Sequence, residues 1–141
     1  MTGPVPAGRK GRGRRPPAPP LQVTATVLPG ATVVRLAGEA DHVQCRTLEI
    51  EFAKVMEGRP ARLVVDLSRV TFCDTAGLNS LLRMRGTTET ECRLVLAAPS
   101  RPVRSLLAVT GTDRVFTISP SIRAALAVPE ADPEACGASD G

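Results

Sequence analysis

The residues that most metal centres depend on are scarce in this chain. His42 is the single histidine, and the four cysteines, Cys45, Cys73, Cys92 and Cys136, are scattered with no Cys-x-x-Cys pair. The sequence therefore offers no recognisable zinc ligand set, and the thiols read as small packed side chains of a reducing compartment. No run approaches the roughly 18 apolar residues of a membrane span, and the N-terminus lacks the apolar core of a secretory signal. A cytoplasmic protein is expected. A G-x-S-x-G elbow and a G-x-x-x-x-G-K-[ST] phosphate loop are also missing. The usual sequence warrants for acyl transfer and for nucleotide binding are thus absent, and neither an enzyme nor a cofactor is expected.

What is present is unevenly distributed. The formal charge of +4 comes from one place: Arg9, Lys10, Arg12, Arg14 and Arg15 precede every acidic residue. Setting these five aside leaves 13 basic residues of the 18 against 14 acidic ones, so the remainder is near neutral and a duplex-binding face is not indicated. Residues 1–20 are punctuated by proline and glycine and have little to bury, the composition of a disordered basic arm. Residues 129–141 are equally poor in core formers and read as a flexible tail. With 43% apolar content in 141 residues, the interval 21–128 has enough to build one core, hence one domain.

Hydrophobic periodicity orders that domain. Residues 22–28 alternate, with Val23, Ala25 and Val27 on one face, and residues 32–37 form a second β-rich run. Between them Pro29 and Gly30 suit the second and third positions of a type II turn, so an antiparallel hairpin is predicted. Cys45, Leu48, Phe52 and Val55 recur at helical spacing up to Gly58 and Pro60. The run RLVVDL at 62–67 is nearly continuous, as in a central strand covered on both faces. A helix bearing Leu78, Leu81 and Leu82 follows, then the strand 93–98, a helix with Val103, Leu106 and Leu107, the strand 114–118, and a last helix with Ile122, Ala125 and Leu126. The order β-β-α-β-α-β-α-β-α implies an α/β fold, a mixed sheet with an antiparallel N-terminal hairpin, then β-α crossover units with about four helices. In such sheets the loops after strand C-termini collect at one rim and carry the sites.

One of those junctions, TFCDTAGLNSLL at 71–82, sets a hydroxyl beside a carboxylate where a helix begins. Asp74 is a good N-cap with Thr75 in the first turn. Nucleophilic use of Thr75 needs a base and an oxyanion site, and His42 is an isolated candidate base. The third option is modification: a phosphate on Thr75 adds about −1.5 to −2 charge units beside Asp74 and turns one hydroxyl into a switch for docking. Cys73 reads as a packed thiol, with no cationic neighbour in sequence to activate it. Asp66 reads as an architectural residue that ends a strand and ties a loop by hydrogen bonds.

Two separated segments carry a family resemblance. RLAGEADHVQCRTLE resembles the strand-end Gly-Glu-x-Asp segment of STAS domains of the anti-sigma factor antagonist type, and VVDLSRVTFCDTAGLNSLL resembles their central strand and phosphorylation loop. The similarity spans about residues 21–128. The resemblance implies a STAS-like sheet and a protein that frees a sigma factor by occupying its anti-sigma factor, a serine/threonine kinase. Thr75 takes the place of the phosphorylated serine, and Ala76 stands where the family has a second hydroxyl residue. Partner contacts are implied at Gly38, Glu39, Asp41, Asp74, Thr75, Ala76, Gly77, Leu78 and Asn79. ATP belongs to the kinase, a separate phosphatase resets the switch, and no cofactor or direct DNA contact is implied. Two other readings compete: an unphosphorylated STAS scaffold in a larger regulatory assembly, with Thr75 a plain capping-turn residue, and a STAS protein that binds a small molecule or nucleotide.

Overall fold

The computed structural model describes residues 20–88 and 92–128. The expected basic arm before Pro20 and the expected tail 129–141, with Cys136, lie outside the described residues. The chain runs β1 (Gln22–Leu28), β2 (Ala31–Ala40), α1 (Cys45–Glu57), β3 (Arg62–Cys73), α2 (Thr75–Thr88), β4 (Arg93–Ala97), α3 (Arg101–Thr110), β5 (Thr117–Ser119) and α4 (Ile122–Ala127). A 3-10 turn, Thr112–Arg114, precedes β5. The five strands form one sheet in the order β1-β2-β3-β4-β5. β1 is antiparallel to β2, and β2, β3, β4 and β5 are mutually parallel. This is the mixed α/β architecture expected from the sequence.

Local chemistry explains the main elements. Gly30 has φ 76, the positive φ that the third position of a type II turn demands, and so Leu28 pairs with Ala31 across the hairpin. β3 is buried from Arg62 through Leu67 because helices cover one face of it and α4 the other. The larger core joins Val34, Leu36, Leu63, Val65, Leu67 and Leu96 of the sheet to Leu48 and Phe52 of α1, Leu78, Leu81 and Met84 of α2, and Val103 and Leu107 of α3. Leu48 and Phe52 are 0% and 1% exposed, and each such burial contributes about 1.5–3 kcal/mol. On the opposite face Val33, Val64, Val95 and Ala97 pack against Ala125 of α4.

Two polar contacts complete this second, thinner core. Ser121 caps α4 by accepting the Ala124 amide at 3.0 Å. At the other end the buried Arg62 donates from Nη1 to the carbonyls of Ala125 and Leu126, both at 2.9 Å. A cation there satisfies carbonyls that a helix C-terminus leaves without intrahelical donors.

The structure departs from the sequence expectation at four places. β2 and β3 both run on past residues 37 and 67, with register shifts between Arg35 and Ala37 and between Gly38 and Glu39. Asp66 therefore does not end a strand; it sits at the first irregularity, accepting the Ser68 amide at 3.0 Å, 3.8 Å from the Arg35 guanidinium. β5 is three residues long and starts at Thr117, whereas Arg114 lies in the 3-10 turn and Phe116 turns into the core at 7% exposure. Phe116 anchors the connection, Val115 beside it is exposed, and neither extends the sheet. Finally, the Val23, Ala25 and Val27 face of β1 is largely open, with Val27 80% exposed, since β1 is an edge strand.

Candidate functional site

β2 and β3 are parallel neighbours, so their C-terminal ends and the helices that follow meet at one rim. The last pairs of the ladder are Glu39 with Phe72 and Ala40 with Cys73. Residues 71–73 thus belong to β3, and Asp74 alone separates that strand from α2. Such a short connection requires close packing, which Gly77 provides. A Cβ on Gly77 would lie 2.2 Å from the Ala40 carbonyl oxygen and 3.1 Å from its carbon. Backbone cannot yield as a side chain can, so only glycine lets α2 start this close to the end of β2.

Asp74 is the N-cap of α2, as the sequence suggested. Its Oδ1 accepts the Gly77 amide at 3.0 Å. Its Oδ2 does something the sequence did not indicate: it accepts the backbone amide of His42 at 3.2 Å, with the His42 imidazole Nδ1 3.8 Å away. The Asp74 amide in turn donates to the Ala40 carbonyl at 3.3 Å. One carboxylate thereby ties both rim loops together. Asp41 performs the local version, its Oδ1 accepting the amides of Val43 and Gln44 at 3.0 Å each, in the turn that leads into α1.

Thr75 is the first residue of α2 and is exposed. Among the described residues no hydrogen bond engages its hydroxyl. Asn79, one turn along the helix, is also exposed, and Ala76 is half-buried. Gly77 and Leu78 are buried, Leu78 at 4% within the larger core. They support the rim from below. Gly38, with φ 116, and Glu39 are half-buried; a Cβ on Gly38 would meet the Leu21 Cα at 3.6 Å. Leu21 is itself held there by its amide donating to Gln44 Oε1 at 3.2 Å.

Two rim residues, Val43 and Phe72, escape the sequence reading, which sees in His42 only an isolated candidate base. Val43 and Phe72 are large apolar side chains left 65% and 47% exposed, and His42 is the residue that Asp74 grips. Phe72 follows the buried Val70 at strand spacing and so reads as core from the sequence. It is exposed because the register shift between Gly38 and Glu39 leaves Thr71 as an extra residue of β3, so that Val70 and Cys73 both pack on the larger core and Phe72 turns to the other face. His42 stands 32 residues from Asp74, and only the parallel pairing of β2 with β3 brings the two together.

The rim's chemistry favours binding over catalysis. Both Asp74 oxygens accept a backbone amide, which makes that carboxylate a scaffold of the rim. The Cys73 thiol is pushed up to about 11, first by burial and then by the Asp74 carboxylate beside it, so at neutral pH it is a protonated, unreactive thiol. Behind the rim, Glu49 of α1 accepts Ser80 Oγ at 2.9 Å and Arg83 Nη1 at 2.6 Å, pinning α1 to α2. Among the described residues no three His, Cys, Asp or Glu side chains converge as a metal site, and no helix is long and apolar enough to cross a membrane.

Comparison with known proteins gives a consistent result. A family described as "Mlab, STAS domain" matches residues 24–120. The anti-sigma-F factor antagonist RsfB of Mycobacterium tuberculosis is 28% identical over 109 residues, which is 76% of this chain and 89% of that protein. The crystal structure of an anti-sigma factor antagonist from Mycobacterium paratuberculosis superposes with a TM-score of 0.72 at 29% identity, over 76% of this chain and 92% of the other. The anti-sigma factor antagonist SpoIIAA in its unphosphorylated form shares the fold, with a TM-score of 0.52 at 21% identity over 86% of this chain and 98% of the other.

Proposed function

The chain belongs to the STAS-domain family, among the anti-sigma factor antagonists, and on that premise we propose that its rim docks an anti-sigma factor kinase and is released by phosphorylation of Thr75. The observation that carries this reading is the position of Thr75: exposed, first in α2, and directly beside a carboxylate whose own hydrogen bonds are satisfied within the rim. Asp74, Asp41 and Gly77 hold the backbone. Thr75, Asn79, Val43 and Phe72 face outward and supply the contact.

In the modification step Thr75 Oγ1 attacks the γ-phosphorus of ATP held by the kinase. The bond to the β,γ-bridging oxygen breaks, ADP leaves, and the hydroxyl proton passes to a base of the kinase. The product carries about −1.5 to −2 charge units. The α2 N-terminus partly offsets that charge while it is hydrated. Closing a partner over the rim strips that water, and removing an ion from water costs several kcal/mol. The phosphorylated rim therefore lets go, and a phosphatase restores it. The protein acts throughout as ligand and substrate of its partner, not as a catalyst.

The test is to incubate the chain with candidate anti-sigma factor kinases and ATP, followed by intact-mass and site mapping. One phosphate on Thr75 is expected, and Thr75→Glu should weaken kinase binding by about ten-fold or more whereas Thr75→Ala spares it. Equal binding by both variants favours a constitutive scaffold instead.

A further inference from the structure

The free edge of β1 carries a pattern the rim does not use. Residues 23–27 read Val-Thr-Ala-Thr-Val, a palindrome centred on Ala25. We propose that this edge is a self-association surface, on which a second copy of the chain adds its own β1 antiparallel about a two-fold axis through Ala25.

Hydrogen-bond direction supports this. Leu28 and Ala31 flank the two-residue turn and pair with each other, so the amide groups of Leu28, Thr26, Thr24 and Gln22 point to β2. By alternation those of Val27, Ala25 and Val23 point to the open side. A second β1 about the two-fold sets Val23 opposite Val27, Thr24 opposite Thr26 and Ala25 opposite Ala25. Apolar then meets apolar on the face carrying Val23, Ala25 and Val27, and threonine meets threonine on the other, the cross-strand pairs that stabilise sheets.

Among the described residues the edge carries none of the charges, prolines or bulges that block such pairing. β1 holds seven residues with no charge, no proline and no register shift against β2, and Val27 is 80% exposed. Unprotected edges of this kind accept strands. The alternatives within the chain fit less well. The opposite edge, β5, offers only three residues. The sequence before Pro20 is interrupted by Pro4, Pro6, Pro16, Pro17 and Pro19, each lacking the N–H a ladder needs. Strand addition alone buries less than the roughly 1,200 Å² of a standard interface, so the association is weak and reversible.

Sedimentation equilibrium of the full chain from about 10 µM to 1 mM tests it. The expected result is a monomer–dimer equilibrium that Ala25→Lys weakens by about ten-fold or more, because the two-fold sets the like charges directly opposite. Ala25→Pro, which removes an outward N–H on an edge strand that tolerates proline, should do the same with an unchanged circular dichroism spectrum. Mixing Ala25→Lys with Ala25→Glu should restore a heterodimer that neither variant forms with itself. This last experiment stands even if the proline variant folds poorly. A monomer at 1 mM, a dimer insensitive to Ala25→Lys, or no rescue by the charge-swapped pair overturns the proposal.

Discussion

Two strand-to-helix junctions end at the same rim, each organised by an aspartate, and they solve different problems. After β2, Asp41 binds amides two and three residues ahead, and a short turn separates the strand from α1. After β3, Asp74 binds one amide three residues ahead and another 32 residues behind, and the helix starts at once. The first is a self-contained turn. The second is a clamp whose tightness depends on Gly77 lying against the Ala40 carbonyl. A side chain presented at position 75 thus has both loops beneath it, and that difference explains why the second junction is the better place for a switch.

Four measurements can break or sharpen the contrast. Gly77→Ala should have the largest effect, a loss of about 3 kcal/mol or more by chemical denaturation, because the new methyl meets backbone at 2.2 Å. Next, Asp74→Ala should cost about 2 kcal/mol against about 1 for Asp41→Ala, since the former removes a helix cap and also unties the neighbouring loop. If the two losses are equal, the cross-loop bond to His42 adds nothing.

The third measurement concerns the thiol under the clamp. With Cys73 raised from 9.0 to about 11, the unfolded chain releases its proton before the folded one does. Its contribution to stability is intact below pH 9.0 and is lost as pH climbs toward 11. At pH 8 iodoacetamide should modify native Cys73 about 100-fold more slowly than an ordinary exposed thiol, as read by peptide mass mapping. Fast labelling shows that the junction opens. The smallest effect has the opposite sign: Gly86→Ala, on the exposed side of the same helix with nothing within 4 Å of the added Cβ, should stabilise by about 0.5–1 kcal/mol. A single helix then holds one glycine that tolerates no substituent and one that gains from it.

Most of the architecture was legible in the sequence because its signals are local. The Pro29-Gly30 turn, the buried run at 62–67, and the Leu48-Phe52 and Val103-Leu107 stripes each report on residues a few positions away. The misreadings share the opposite property. β3 extends to Cys73 because β2 runs beside it, a pairing that no window of sequence contains. β5 starts late because Phe116 is drawn into a core assembled from distant elements. At the site, Asp74 as a cap and the accessibility of Thr75 follow from the junction's own residues. Its grip on His42, and the exposure of Phe72, require the register of two strands far apart in the chain.

The guanidinium of Arg62 has a consequence for the far side of the sheet. α4 has six residues, well short of the roughly 12–15 at which an isolated helix becomes marginally stable in water, so tertiary contacts must hold it. Its C-terminal carbonyls are latched by a charge planted at the start of the central strand, and its one buried residue, Ala125, is the lid over Val33, Val64 and Val95. Unlatching it would lay bare a stripe of valines on an otherwise finished domain. Loss of that single arginine should therefore appear first as stickiness, with dye binding and precipitation, while the helices opposite still hold their shape.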